Sequence, residues 1–393
     1  MTDPREMPSA QRLVDALRQR GDLRDARLQA AFLNIPREAF LPGVPLEQVY
    51  SDEAIAIKRD PDGSVISSSS QPSMMALMIE QMRLSPGMNV LEIGAGTGYN
   101  AAIMADMLGR RGRVTSIEFD PVIAAQAQDN LQRAAIGETV MVVTGDGAGG
   151  FAPRAAYDRI IATAGAWDVP RAWVRQLKPR GLIVVPLWLE GFQYSAALQL
   201  QPDGSLYSER NLPCGFVRMR GLASGPQVEM RLASGSMAVF TSGASAIDPT
   251  IINMLASDIS DGYVGFPISA REWASSAMPF LLLNLGRPFW PGSYYVAEGR
   301  QAYGLEGSGF CVISRASACF IPAYGDGQVQ VFGAADALLA VQDVLAQWER
   351  AGKPTLDRLR IRLTALEGAQ APRPPPYGAV FARSDHHIEF WFA

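Results

Sequence analysis

The chain has 393 residues, 48% of them apolar and 19% charged, and a net charge of −4. That length supports a sizeable core and two domains, and the composition excludes disorder as the main state. The mild charge gives no electrostatic reason for a nucleic-acid partner, and three cysteines with two adjacent histidines, His386 and His387, supply no disulfide framework, zinc spacing or histidine-based triad. Cys311 and Cys319 are readable as a pair or as two buried thiols, the second suiting a reducing compartment. The N-terminus is charged and helix-like without the apolar core of a signal peptide, and no apolar run approaches membrane-spanning length. The expectation is a soluble cytoplasmic protein with no metal centre and no membrane partner.

Helical spacing over 9–20, with Ser9 as N-cap, and over 25–33 predicts two small helices in an N-terminal segment, 1–45. Residues 54–58 alternate like a strand, and Asp60-Pro-Asp-Gly63 reads as a turn. The serine run Ser67 to Ser70 leads into Pro72, which favours the first turn of a helix over 74–82. The run is readable as a linker, or as hydroxyls gathered where a helix N-terminus leaves N–H groups free. From Asn89 strand and helix alternate. Strands are predicted over 89–93, 113–118, 140–146, 158–162 and 181–186, with helices over 100–108, 122–135 and 169–177 between them. Residues 194–201 and 212–219 close the pattern as a hairpin-like pair. This is a doubly wound, Rossmann-like α/β domain over 46–220.

Beyond 221 the rhythm stops and Gly and Ser become common. An amphipathic helix over 334–350, strands over 359–363 and 388–392, and a proline-rich connector over 371–377 make residues 221–393 a mixed α+β domain. The alternative is a decoration that does not fold alone.

The most informative stretch is Asn89-Val-Leu-Glu-Ile-Gly-Ala-Gly-Thr-Gly-Tyr99, a strand, a glycine turn at Gly94, Gly96 and Gly98, and the start of a helix. Dinucleotide binders use G-x-G-x-x-G, and here the spacing differs and Glu92 precedes the turn. An acid there repels a pyrophosphate and suits a ligand with positive charge. S-adenosylmethionine has an ammonium, a sulfonium and two ribose hydroxyls. Glu92 is therefore expected near the methionine end. Glu118, about 20 residues past Gly98, is expected on the ribose hydroxyls, and Asp146, followed by Gly147, near the adenine amino group.

Several ordered motifs carry a family resemblance. Ser69-Ser-Gln-Pro72, Val90-Leu-Glu-Ile-Gly-Ala-Gly-Thr-Gly-Tyr99, Gly145-Asp-Gly147, Ala156-Tyr-Asp-Arg-Ile160, Gln176-Leu-Lys-Pro-Arg-Gly181 and Pro36-Arg-Glu-Ala-Phe40 make residues 30–220 resemble the protein-L-isoaspartate O-methyltransferases. The resemblance implies a class I methyltransferase that esterifies a peptide carboxylate with S-adenosylmethionine and releases S-adenosylhomocysteine. It places Ser70 at the acceptor carboxyl, with Ser67, Ser68 and Ser69 lining the same turn on the cofactor side. It also makes Thr163 and Ala164 part of a peptide-facing loop. A carboxylate is ionised at neutral pH, so no general base is required and the shortage of histidine fits. The work is proximity and orientation behind the sulfonium methyl group.

Three departures bear on the acceptor. Ser68-Ser69-Ser70 stands where the family commonly has Thr-Ile-Ser, which makes the pocket more polar. Arg218 and Arg220 stand in a strand that often reads Val-Pro-Leu, and they suit an acidic acceptor. Residues 221–393 resemble the C-terminally extended branch associated with ribosomally made, modified peptides: lanthipeptides, lasso peptides and graspetides. There an aspartate of a precursor is methylated, and the ester closes to an aspartimide. The resemblance therefore implies a precursor-peptide aspartate methyltransferase with a C-terminal recognition domain. The alternative is an isoaspartyl repair enzyme acting on isoaspartyl-containing peptides. Binding of the cofactor without turnover is a third reading, and the glycine spacing disfavours a nicotinamide-dependent oxidoreductase.

Overall fold

The computed structural model describes residues 9–61, 63–323, 327–367 and 370–393. The helix-like reading of the first eight residues, and Asp62 of the expected turn, lie outside them. The chain divides into two compact units. The first comprises Met1–Leu187, Ser195–Ser208 and Cys214–Gly225, and the second Trp188–Tyr194, Glu209–Pro213 and Pro226–Ala393.

The first unit opens with helices α1 (Ala10–Arg20) and α2 (Ala26–Asn34). Ser9 caps α1, its hydroxyl accepting from the Arg12 N–H, and Gly21 ends the helix in the left-handed conformation. A single turn, α3 (Leu46–Val49), precedes an antiparallel ribbon of β1 (Ile55–Arg59) and β2 (Val65–Ser69). Pro72 begins α4 (Pro72–Met82). The alternating part follows as β3 (Asn89–Ile93), α5 (Tyr99–Leu108), β4 (Arg113–Glu118), α6 (Pro121–Arg133), β5 (Val140–Thr144), β6 (Tyr157–Ala162), α7 (Arg171–Gln176), β7 (Leu177–Leu189), β8 (Phe192–Leu200) and β9 (Leu206–Ser208).

Strand order across this sheet is β9-β8-β7-β6-β3-β4-β5. The pairs β3–β4, β3–β6, β4–β5 and β6–β7 are parallel. The chain runs outward from β3 to β5 and returns to β6 on the other side of β3. Ligands of doubly wound sheets bind at the carboxyl ends of strands beside such a reversal. A core of Leu13, Leu17, Phe32, Met75, Ile79, Val90, Ile103, Leu131 and Val184 joins α1, α2, α4, α5 and α6 to the sheet.

The expected strand over 212–219 does not form as one piece. A short strand, β10 (Asn211–Cys214), ends early, and residues 217–219 return as a single parallel bridge, Gly165↔Arg218. Pro213 and Gly215 explain the break, since Pro removes a ladder donor and Gly weakens a strand.

The second unit contains a seven-stranded antiparallel sheet in the order β11 (Glu229–Leu232), β12 (Met237–Phe240), β14 (Trp290–Val296), β15 (Ser308–Ile313), β16 (Ser317–Pro322), β17 (Gln328–Gly333) and β13 (Ile259–Tyr263). It also contains β18 (Leu359–Ala365), β19 (Gly378–Ala382) and β20 (His386–Phe392), with β20 between the other two. The helix Asp336–Arg350 buries Val341, Val344, Leu345 and Trp348. Cys311 and Cys319 are free, buried thiols, and His386 and His387 lie buried on β20. Among the described residues no helix is long and apolar enough to cross a membrane.

Candidate active site

A cleft opens at the carboxyl ends of β3, β4 and β6, and every residue lining it belongs to the first unit. Its floor is the turn after β3. Gly94 lies at φ +100°, and a Cβ there would sit 2.5 Å from the Thr163 hydroxyl. Gly96, at φ +54°, passes under β2, so that a Cβ would meet the Ser68 carbonyl oxygen at 3.5 Å. Both positions need glycine, one for space and both for the left-handed backbone.

Glu118 ends β4 on the cleft wall. Its Oε2 accepts the Gly96 N–H at 3.0 Å and its Oε1 the Asp120 N–H at 3.1 Å. Ser67, Ser68, Ser69 and Ser70 line the cleft as well, Ser67 and Ser69 buried and the other two half-buried. The Ser70 hydroxyl has no partner among the described residues, whereas its carbonyl accepts from Arg37 at 3.0 Å. Arg37 is the residue that sequence reasoning passed over. Its guanidinium is fully buried and donates to the carbonyls of Val49 (2.8 Å), Ser51 (3.2 Å), Glu53 (3.4 Å) and Ser70. A cation between the apolar residues Ile35 and Phe40, next to Glu38, was the available signal.

Three of the expected cofactor residues lie elsewhere. Glu92 does not line the cleft; it sits beneath it, 0% exposed, accepting from Asn100 Nδ2 at 2.7 Å and from the Ser116 hydroxyl. Its partner Asn100 does line the cleft, so Glu92 stands one residue removed from it. A parallel strand covered on both faces turns its acid inward, where it must find donors. Asp146 also lies outside the lining. Its Oδ1 accepts the Ala148 N–H at 2.9 Å and its Oδ2 the Leu222 N–H at 2.8 Å, so it shapes the loop that presents Gly147. Gly98 faces α6 instead, where a Cβ would come within 3.2 Å of the Ala127 carbonyl.

Thr163 and Ala164 line the cleft, but the Thr163 hydroxyl is engaged with the Gly94 carbonyl at 2.7 Å. Arg218 and Arg220 line it too and diverge. Arg218 donates to the Ser224 carbonyl at 2.8 Å, and Arg220 lies over the Phe119 ring, 5.0 Å from its centroid. Phe119, Asn100 and Met75 also line the cleft and were not anticipated.

Burial pushes the Glu92 carboxyl up to about 7; the bonds from Ser116 and Asn100 pull it back, and Glu118 pushes it further up. Between the ordinary value of 4.5 and about 7 the folded chain keeps a proton that the unfolded chain has lost. This contribution is fully present below the lower value and is lost as pH rises through the upper one. Glu92→Gln removes the charge, keeps an oxygen to accept from Asn100 and turns its amide N–H toward the Ser116 hydroxyl, which then accepts instead of donating. It should stabilise the ligand-free protein by roughly 2 kcal/mol at about pH 8 and change little at about pH 4, as denaturant titration at the two pH values would read.

The cleft fits S-adenosylmethionine. The glycine turn is a cradle that Cβ atoms would fill, the Glu118 carboxylate in the lining suits a ribose diol, Ile117, Phe119 and Gly147 suit a purine, and the serines add hydroxyls to the same cleft. A doubly wound sheet carrying such a turn and such an acid at consecutive strand ends defines a class I S-adenosylmethionine-dependent methyltransferase. Residues 8–223 match the sequence profile of the protein-L-isoaspartate(D-aspartate) O-methyltransferases. The chain belongs to that family.

The relatives agree over the same half. The protein-L-isoaspartate O-methyltransferase of Methanopyrus kandleri is 38% identical over 211 residues, 54% of this chain and 91% of the relative. That of Thermotoga maritima is 47% identical over 193 residues, 49% of this chain and 60% of the relative. A solved structure of a protein-L-isoaspartate O-methyltransferase is 27% identical, with a TM-score of 0.53, and the match covers 90% of this chain and 96% of that one. That match extends well past residue 220. A long C-terminal part is therefore also present in an enzyme of that name.

Proposed function

We propose that this chain methylates the free carboxylate of L-isoaspartyl residues in peptides and proteins. The observation that carries the reading is the cleft's inventory: the Ser67 to Ser70 hydroxyls and the Glu118 carboxylate, with no histidine, lysine or cysteine among the described residues of the lining. Methylation of an alcohol or an ammonium requires removal of a proton, and an ionised carboxylate does not. S-adenosylmethionine, when bound, supplies a methyl group on a cationic sulfur. The chain's part is to hold the acceptor oxygen in line with it. Ser70 donates its hydroxyl to the acceptor carboxylate, the Arg37-held backbone keeps that hydroxyl in place, and Arg218 adds positive charge at the rim. The second unit serves as a recognition module in this reading.

The test is methyl transfer to an isoaspartyl peptide and to its aspartyl isomer, read by mass spectrometry. Turnover of the isoaspartyl form alone is expected. The narrower reading, methylation of an aspartate in a modified precursor peptide, is favoured only by Arg218 and Arg220, which suit one acidic acceptor; turnover of the aspartyl isomer alone would favour it. Ser70→Ala should lower kcat/KM by about 10- to 100-fold, the range of one or two hydrogen bonds to a charged group. Calorimetry should show S-adenosylhomocysteine affinity changed less than about twofold, since Ser70 serves the acceptor. Equal loss of both would move Ser70 to the cofactor.

A further inference from the structure

The β1–β2 ribbon does more than carry the serines. Its register is irregular: Ala56 opposes Ser68, Lys58 opposes Ser67, and Arg59 opposes Val65. Bulges of this kind re-aim a side chain, and here the Lys58 ammonium reaches across the chain to form an ion pair with Asp120 Oδ2. Asp120 is the N-cap of α6, its Oδ1 accepting the Val122 N–H at 3.0 Å, and its own N–H goes to Glu118 Oε1. The Lys58 bond, the largest cause, and the cap bonds hold the Asp120 carboxyl below its ordinary range against partial burial. A continuous line thus runs from Lys58 through Asp120 and Glu118 to the Gly96 N–H.

The two ends of the ribbon are held in different ways. At the serine end, β2 leads into Ser70, which the buried Arg37 grips. Toward the other end the hold on Asp120 is an ion pair whose lysine is 38% exposed. Between the ends, the Ser68 carbonyl passes just above Gly96. A hold of the first kind persists in any solvent; a hold of the second kind weakens with salt.

We propose that Lys58 is a positioning residue whose ion pair with Asp120 latches the β1–β2 ribbon over the ribose end of the cleft and sets the rate at which S-adenosylhomocysteine leaves. The proposal rests on the assignment of the cofactor to this cleft. Release requires the ribbon to lift, and it lifts at the Lys58 end because the Arg37 end is fixed.

The experiment is a chase of radiolabelled S-adenosylhomocysteine from the full-length chain with unlabelled ligand. Dissociation from the wild type should quicken as salt rises from about 50 to about 500 mM. Lys58→Met should dissociate about fivefold faster at low salt and lose most of that salt dependence. Asp120→Asn keeps a competent N-cap and removes the charge. It should match Lys58→Met, the double variant should be no faster than either, and Lys58→Arg should restore the wild-type rate. The KM for the acceptor peptide should stay within about twofold throughout. An unchanged rate in Lys58→Met overturns the latch alone. A fast Lys58→Met beside a wild-type-like Asp120→Asn also overturns it, by showing that Lys58 acts on the ligand directly. Failure of the wild type to bind S-adenosylhomocysteine overturns both the cofactor assignment and the latch.

Discussion

Glu118→Ala should weaken S-adenosylhomocysteine binding about 100-fold or more, as calorimetry on the ligand alone would read, with no comparable loss of folding. Two hydrogen bonds from hydroxyls to a carboxylate are each worth about 1.5–3 kcal/mol in a site screened from water, and alanine removes both. The same carboxylate anchors the Gly96 and Asp120 N–H groups. Its loss therefore also loosens the turn on which the ligand rests. Glu118→Gln separates the two effects: it retains acceptance from one N–H and should fall between wild type and alanine. An affinity unchanged in Glu118→Ala would remove the acid from the site.

Arg37→Met should lower stability by about 3–5 kcal/mol, the range for removing one side of a buried charged network. For a unit of this size that is a fall of roughly 10 °C in the thermal midpoint, measurable by circular dichroism. The cause is not the methionine, which fills much of the space. Carbonyls of Val49, Ser51, Glu53 and Ser70 converge on the guanidinium, and a thioether offers them no donor. Arg37→Lys should recover only part of the loss, because one ammonium cannot span the fork. At temperatures where Arg37→Met is still folded, its kcat/KM should fall with that of Ser70→Ala, since the serine end of the ribbon loses its fixed point.

Much of the first unit was legible from residue order alone. Val90, Leu91 and Ile93 form a buried run with glycines at once behind it, and the period changes from strand to helix at Tyr99. Pro72 and Ser9 mark helix starts by local chemistry that needs no neighbour. The serine run and the glycine turn were both singled out, and they meet across the cleft although more than twenty positions separate them. Less was legible after residue 210, where the apolar run from Leu212 to Met219 suggested one strand. Pro213 and Gly215 break it, and only the bridge at Arg218 remains.

Residue types and their spacing by themselves determined the alternation, the glycine turn, and hence the ligand class, because backbone conformation and hydrophobic period are local properties. Tertiary structure alone decided what each acid does. Glu92, Glu118 and Asp146 are all acids within two residues of strand carboxyl ends, yet one is buried beneath the site, one faces it and one ties down a loop. The reason is physical: a carboxylate's role is set by which donors come within about 3 Å of it. Those donors, from Ser116 and Asn100 to the N–H of Leu222, come from segments up to 76 positions away.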